Sequence, residues 1–353
     1  MSLDKLRSRI DEIDKKLVAL LNQRTSLGIS IADVKRKAGK SSYSPERERD
    51  VFRKITLLNK GPLGPSALEA IYREIMSASL ALGSALKIAY LGPEATFTHM
   101  AAMKRFGSQV EFIPCNTIAD VFLEVERNNA DFGVVPIENS IEGAVSYTLD
   151  MFIDSDLKIC SQIILDVQHN LLANCPKDKI KRIYSHPLVF GQCRIWLQEN
   201  LISAEKLEVS STTSAARMAS KEKNSACIAS LPAAAMYKLH PVALNIEDSP
   251  NNITRFFVIG KTDVPRTGHD KTSIAFSIKD KIGALYDMLQ PFKKHGINLT
   301  KIESRPSRKK PWDYYFFVDL SGHKNDEHTA QALAEIQNNC TFFKILGSYP
   351  IGE

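Results

Sequence analysis

No apolar run in the 353-residue chain approaches the ~20 residues that cross a membrane, so a spanning helix is not expected. Cysteine is sparse: Cys115, Cys160, Cys175, Cys193, Cys227 and Cys340 lie far apart with no Cys-x-x-Cys. That pattern argues against a zinc site and against a disulfide framework, and it predicts a reduced, cytoplasmic protein. No low-complexity tract appears, and 17 Gly and 16 Pro are ordinary numbers, so collagen-like and disordered readings are excluded. The N-terminal MSLDKLRSRIDEIDKK is charged throughout, without the apolar core of a signal peptide. What remains, at 44% hydrophobic and 24% charged, is a globular chain long enough for two or three domains.

Charge is unevenly placed. Residues 1–86 carry 16 Lys and Arg against 10 Asp and Glu, whereas 87–353 carry 30 of each. The excess is either a solvated helix face, an attraction for a polyanion, or a grip on a small anion. Leu3, Leu6, Ile10, Ile13, Leu17, Leu20, Leu21, Leu27, Ile31 and Val34 recur at helical steps, predicting one helix over 3–37 that Gly39 ends. At 1.5 Å per residue it spans about 52 Å, too long for a small monomer, so a dimer is expected to cover its stripe. A second helix is predicted from the Ser44-Pro45 cap. A third is predicted from Ser66, with Ser66-x-x-Glu69 as a capping box. Arg24 and Lys35 fall about 20° apart on one face of the first helix and about 16 Å along it, within reach of one small molecule. Arg7 lies about 25 Å along the axis from Arg24 and reaches such a ligand only from another protomer. Periodicity alone favours reading all three as solvent-facing cations.

From residue 87 short apolar strands alternate with Gly-rich turns and helical stretches, which predicts α/β structure with a largely parallel sheet. KTDVPRTGHD (261–270) is a polar linker. After it the order strand–helix–strand–strand–helix–strand, with a basic SRKKP loop at 307–311, is the split βαβ pattern of a ferredoxin-like module.

The string LRSRIDEIDKKLVALLNQR, with ADVKRKAG, SPERERD and AIYREIMSASLAL, resembles the all-helical chorismate mutase family. The resemblance implies an intertwined dimer of three-helix chains. It implies that Arg24 and Arg47 hold substrate carboxylates, with Arg7 contributed across the dimer. Lys35 would donate to the ether oxygen, Glu48 would bind the ring hydroxyl, and Ser79 would line the substrate. A Claisen rearrangement needs no nucleophile, only a folded dianion and donors aimed at developing charge. Gly83 stands where the family has a Gln or Glu, and Ser44 where some members have Asp.

LGPEATFTHMAA (91–102), PIENSIEGAV (136–145), SHPLVFGQC (185–193), STTSAA (211–216) and NNITRFFVIG (251–260) together resemble the prephenate dehydratase family. That resemblance implies two α/β lobes, like a periplasmic binding protein, with the site in the cleft. Thr254, Asn139, Ser185 and Gln192 would be the catalytic set. Glu138, Ser140, Gly143, Thr212 and Arg255 would surround the substrate or position its neighbours. His186 reads as a loop residue, and Ala95 stands where relatives commonly have Gly. Prephenate loses CO₂ and its ring hydroxyl together, so a hydroxyl donor such as Thr254 in a dry cleft would assist the leaving group.

GALYDML (283–289) and ESRP (303–306) resemble the ACT-type phenylalanine-sensing module. The resemblance implies an effector site at Gly283, Ala284 and Leu285, closed by Glu303, Ser304, Arg305 and Pro306 across a dimer interface. The whole is expected to be a bifunctional chorismate mutase–prephenate dehydratase divided at 1–86, 87–262 and 271–353. No cofactor, metal, nucleic acid or membrane partner is expected; a homodimer is, with a tetramer left open. Two other readings stand beside it: a dehydratase whose N-terminal helices mainly dimerise, and a non-catalytic amino-acid sensor.

Overall fold

A computed structural model describes residues 2–38, 43–84, 86–279, 281–307 and 313–351. Gly39 and residues 308–311 of the basic loop lie outside the described residues. Contacts divide the chain into two units, one of residues 1–88 and 103–113, the other of residues 89–102 and 114–353.

The first unit is built on three helices: α1 (Leu3–Lys37), α2 (Pro45–Leu58) and α3 (Pro65–Ser84). Ser2 caps α1, Asp4 lies in its first turn and Lys35, Arg36 and Lys37 in its last, so its end charges match the helix dipole. The Ser44 hydroxyl accepts from the Arg47 amide and Pro45 opens α2. The third helix differs from expectation. It already begins at Pro65, which places Ser66 inside the first turn rather than at a capping-box position. Of all α1 residues only Ala32 is buried, while the periodic stripe from Leu3 to Val34 is 38–68% exposed. No helix among the described residues is long and apolar enough to cross a membrane.

Next come β1 (Lys87–Leu91), α4 (Phe97–Phe106), β2 (Glu111–Cys115), α5 (Ile118–Glu126), β3 (Phe132–Asn139), β4 (Gly143–Ala144), α6 (Ser146–Asp154) and β5 (Lys158–Asp166). The chain then builds a second lobe from β6 (Asn170–Ala173), β7 (Arg182–Ser185), α7 (Pro187–Gln192), α8 (Arg194–Asn200) and β8 (Glu205–Glu208). That lobe is completed by α9 (Thr212–Ala219), β9 (Ser225–Ala229), α10 (Leu231–Tyr237) and β10 (His240–Ala243). Strand β11 (Ile253–Gly260) returns to the first sheet, giving the order β2-β1-β3-β11-β5 with β4 on β3; the second sheet runs β10-β6-β9-β7-β8. The sheets are mixed, not largely parallel as the alternation of strands and helices predicts. β11 is antiparallel to both β3 and β5, and β6 is antiparallel to β9 and β10, while parallel pairing joins β7 to β8 and β9. Because β11 arrives from the other lobe, it enters the first sheet against the direction of its neighbours. The core beneath it stacks Phe122, Phe152 and Phe257 edge to face, at 5.2 and 6.1 Å between ring centroids. Burying each such ring stabilises the lobe by about 1.5–3 kcal/mol.

The C-terminal module has β12 (Asp270–Ser277), α11 (Ala284–Lys294), β13 (Leu299–Pro306), β14 (Tyr314–Ser321), α12 (Glu327–Gln337) and β15 (Phe342–Pro350), in sheet order β13-β14-β12-β15. Met288, Phe292, Leu333 and Ile336 from its helices pack on Ile274, Phe276, Val318 and Leu320. Strand β15 also lies against β5: Lys158 Nζ donates to the Ile345 carbonyl at 3.2 Å, and Lys344 Nζ donates to the Ser155 carbonyl at 2.7 Å. Gly347 permits this approach, since a Cβ there would overlap the backbone of Ile159. Gly347→Ala is therefore expected to destabilise the chain by about 1–3 kcal/mol through forced strand separation. Calorimetry reads this as a lowered melting temperature; an unchanged one would mean the strands separate without cost.

Candidate active sites

Within the first unit α1, α2 and α3 enclose a cavity of about 310 Å³. Arg24, Gly28, Ala32 and Lys35 line it from α1, Ser44, Arg47 and Glu48 from the cap and start of α2, and Met76, Ser79 and Leu80 from α3. The helical spacing of Arg24 and Lys35 does bring both to one wall. Arg24 Nη1 donates to Ser79 Oγ at 3.5 Å, and Ser79 donates to the Ile75 carbonyl at 2.9 Å. Glu48 Oε2 accepts from the Tyr43 hydroxyl at 2.8 Å and pairs with Arg105 at 3.1 Å. Burial holds the Tyr43 phenol well above its ordinary pKa, so it stays a donor. Three cations and one tethered carboxylate around a small volume suit an anionic ligand that also carries a hydroxyl. Arg7 is exposed and does not line this cavity. Nor does Gly83, whose added Cβ would sit 3.0 Å from that of Ala32; glycine there lets α3 approach α1 closely.

The second unit gathers a different cluster where the chain crosses between its lobes. Thr254, the second residue of β11, lies directly opposite Asn139, the last residue of β3. Asn139 Nδ2 donates to Thr254 Oγ1 at 2.9 Å and to Asn252 Oδ1 at 2.8 Å. Asn139 Oδ1 accepts from the amides of Ile141 and Glu142 at 2.9 and 3.0 Å, fixing the β3–β4 turn in which Gly143 has a φ of 82°. Ser140 is spent on backbone, donating to the Asn251 carbonyl at 2.7 Å and accepting from the Ile253 amide at 2.9 Å. From the second lobe Gln192 Oε1 accepts from Asn252 at 3.0 Å and meets His169 Nε2 at 2.7 Å, while Gln192 Nε2 donates to Glu142 at 3.0 Å. Burial lowers the His169 pKa, so the ring is neutral at pH 7 and donates through Nε2. The result ties both lobes to one threonine hydroxyl. That hydroxyl accepts from Asn139, and its own proton has no acceptor among the described residues.

Other expected residues are placed elsewhere. Ser185 is buried, its hydroxyl donating to the Ile228 carbonyl at 3.0 Å, and Thr212 is buried at the start of α9. His186 caps α7 through its ring nitrogen. Ala95 has a φ of 60°, the left-handed backbone that explains why glycine suits this position. Arg255 and Glu138 are register partners one step from Thr254 and Asn139, and strand alternation turns their side chains to the opposite face of the sheet. There Arg255 pairs with Asp319 at 2.6 Å and Lys301 pairs with Glu138 at 3.0 Å, both contacts to the C-terminal module. In that module Gly283 has a φ of 77° at the start of α11, Ala284 is buried and Leu285 exposed. Along β13 the side chains alternate, Ser304 and Pro306 exposed and Glu303 and Arg305 half-buried, with Arg305 reaching Asp150 of α6 at 3.4 Å.

With this geometry in view, three family matches follow one another along the chain. Chorismate mutase type II matches residues 6–83, Prephenate dehydratase 88–264 and the ACT domain 272–338. A bifunctional chorismate mutase/prephenate dehydratase of Aquifex aeolicus is 51% identical across 99% of this chain and 98% of its own length. The chain belongs to the bifunctional chorismate mutase/prephenate dehydratase family. The member from Pseudomonas aeruginosa is 46% identical over 99% of this chain and 97% of its own. The crystal structure of prephenate dehydratase in complex with L-Phe from Arthrobacter aurescens is 34% identical, with a TM-score of 0.70 over 75% of this chain and 90% of that one.

For a bifunctional chorismate mutase/prephenate dehydratase, five residues in these sites carry no expectation from sequence: Tyr43, Arg105, Glu142, His169 and Asn252. Asn252 stands inside the NNITRF motif, and Tyr43 directly precedes the Ser44-Pro45 cap, so a signal lies beside both. Arg105 and His169 have no local signal, because their partners are distant in sequence.

Proposed function

We propose that the chain converts chorismate to prephenate in the α1–α3 cavity and prephenate to phenylpyruvate at the Asn139–Thr254 cluster. In the first reaction Arg24 and Arg47 hold the substrate carboxylates in a folded conformation, with Arg7 of a second copy closing the cavity. Lys35 donates to the ether oxygen as the C–O bond breaks, and Glu48 accepts from the ring hydroxyl. In the second, Asn139 aligns Thr254, whose hydroxyl proton goes to the departing ring hydroxyl to release water as the ring carbon–carboxylate bond breaks to free CO₂ and the ring becomes aromatic; solvent then returns a proton to Thr254. Gln192 keeps the two lobes together over the substrate, while Ser185, Ser140, Gly143 and Thr212 shape the walls. No cofactor enters either step.

The observation that carries this reading is the pairing of Thr254 with Asn139 at 2.9 Å in a chain that also holds Arg24, Lys35, Arg47 and Glu48 around one cavity. Phenylalanine acts as effector between the Gly283–Leu285 turn and Glu303–Pro306, and the reaction takes place in the cytoplasm. The bare apolar stripe of α1 supports a homodimer, in which a second α1 covers it.

Purified chain supplied separately with chorismate and prephenate, with and without phenylalanine, is expected to turn over both, the second under inhibition. Mixing Arg7→Ala with Arg24→Ala subunits is expected to restore part of the mutase activity that each lacks alone, because one of the two mixed cavities is intact. Heterodimers of verified composition without recovery would rule out a shared cavity, and no turnover of either substrate would favour the sensor reading.

A further inference from the structure

The residues resembling a mutase end before Leu86, yet the folded unit around the cavity does not. It recruits residues 103–113, from the stretch matching prephenate dehydratases. The recruitment is specific. Glu74 of α3 accepts from the Ser108 hydroxyl at 2.6 Å, Ser77 accepts from the Gln109 amide at 3.0 Å, and the Phe106 ring packs 5.0 Å from Tyr43. Gly107, at a φ of 73°, lets this segment press on Ser77, with no room there for a Cβ.

This seating brings one charge against two residues of the cavity wall. Arg105 Nη2 lies 3.1 Å from Glu48 Oε2, the atom that also accepts from Tyr43, and the guanidinium sits 5.8 Å over the Tyr43 ring. Glu48 is 10% exposed and Arg105 24%, so water screens the pair weakly. Burial works against the Arg105 cation, but Glu48 and Tyr43 more than offset it. Both partners hold Oε2; Oε1 has no partner among the described residues, and Glu48 lines the cavity. A carboxylate fixed at one oxygen presents the other in a set direction, whereas an untethered glutamate samples several rotamers.

We propose that Arg105 is a positioning residue of the mutase site: it anchors Glu48 so that Oε1 receives the ring hydroxyl of the substrate. The dehydratase portion of the chain thereby completes the mutase pocket, and a cut after residue 86 removes a working part of it. The inference rests on the mutase reading above and extends it to a residue outside the matched helices. The ring hydroxyl takes no part in bond making or breaking, so its contact is uniform binding that acts on KM rather than kcat.

The test is steady-state mutase kinetics on the full chain. Arg105→Met is expected to raise the KM for chorismate about 10- to 100-fold with kcat little changed, the loss of one charge-assisted contact. Arg105→Lys should recover much of that loss, and in a Glu48→Gln background Arg105→Met should add nothing. Dehydratase turnover in the same preparations reports folding and is expected to stay at wild-type level. Should Arg105→Met not fold, Arg105→Gln keeps donors without charge and carries the same expectation. A fall in kcat at constant KM, a parallel loss of dehydratase activity, or the full KM effect persisting with Glu48→Gln overturns the proposal. A wild-type chain that leaves chorismate unchanged overturns the mutase reading with it, whereas wild-type turnover with an unmoved KM in the variants overturns this inference alone.

Discussion

Thr254→Ala is expected to lower phenylpyruvate formation by about 10²- to 10⁴-fold, the usual worth of a positioned proton donor, and to leave prephenate formation unchanged. The hydroxyl accepts from Asn139, and Asn139 is itself fixed by Asn252 and by two turn amides. Its lone pair is therefore engaged and its proton is the part available to a substrate. A threonine is a weak acid in water, so its worth depends on the site being dry and prearranged. Thr254→Ser keeps the donor and loses only the stiffening methyl, so it should retain most of the activity. Separate assays on chorismate and prephenate read the result. Thr254→Ala retaining dehydratase turnover within a few-fold of wild type would remove the proposed donor. Loss of both activities in a folded variant would contradict two independent sites.

Much of this arrangement is legible in the amino-acid sequence. The apolar spacing of Leu3 to Val34 sets α1 at 3–37, and the same 3.6-residue period puts Arg24 and Lys35 on one wall. The Ser44-Pro45 signal marks α2 because cap chemistry is local. Non-local pairings leave no such mark. Thr254 and Asn139 are 115 residues apart, and nothing near either announces that β11 returns antiparallel between β3 and β5. Arg105 faces Glu48 only because a later segment folds back onto earlier helices. The placement of Arg255, by contrast, follows from a local rule. Adjacent residues on a strand face opposite sides, so Thr254 and Arg255 do not both address the same cleft. That alternation alone directs Arg255 away from the side of the sheet that bears the Thr254 hydroxyl and toward whatever covers the opposite face.

What covers it is the C-terminal module, and Asp319→Asn is expected to cost about 3–5 kcal/mol of stability, because it strands a buried guanidinium. Arg255 is 11% exposed and Asp319 8%. Around the ion pair, Arg255 also donates to Tyr349 at 2.9 Å and to Gln162 at 2.9 Å, and Asp319 accepts from Ser273 at 2.5 Å. Burial keeps the Tyr349 phenol far above its ordinary pKa, so it contributes a hydroxyl and not a counter-charge. Asp319 is thus the nearest balancing anion, with Glu138 more distant at 3.7 Å. Replacing the pair by apolar groups, Arg255→Met with Asp319→Leu, should return part of the lost stability, since neither charge is left buried alone. The double variant should not regain the coupling. In the wild type Arg255 joins the strand bearing Thr254 to the sheet that carries Glu303–Pro306, so an effector bound at the proposed Glu303–Pro306 site would share a rigid contact with the Thr254 strand. Without it, phenylalanine inhibition of the dehydratase is expected to weaken about 5- to 150-fold, the range of a typical coupling free energy of 1–3 kcal/mol. Denaturant unfolding separates Asp319→Asn from the double variant, and inhibition curves on the double variant read the coupling. Inhibition at wild-type strength in a stably folded double variant would show that the effector signal crosses elsewhere, and the next pairs to break would be Lys301 with Glu138 and Arg305 with Asp150.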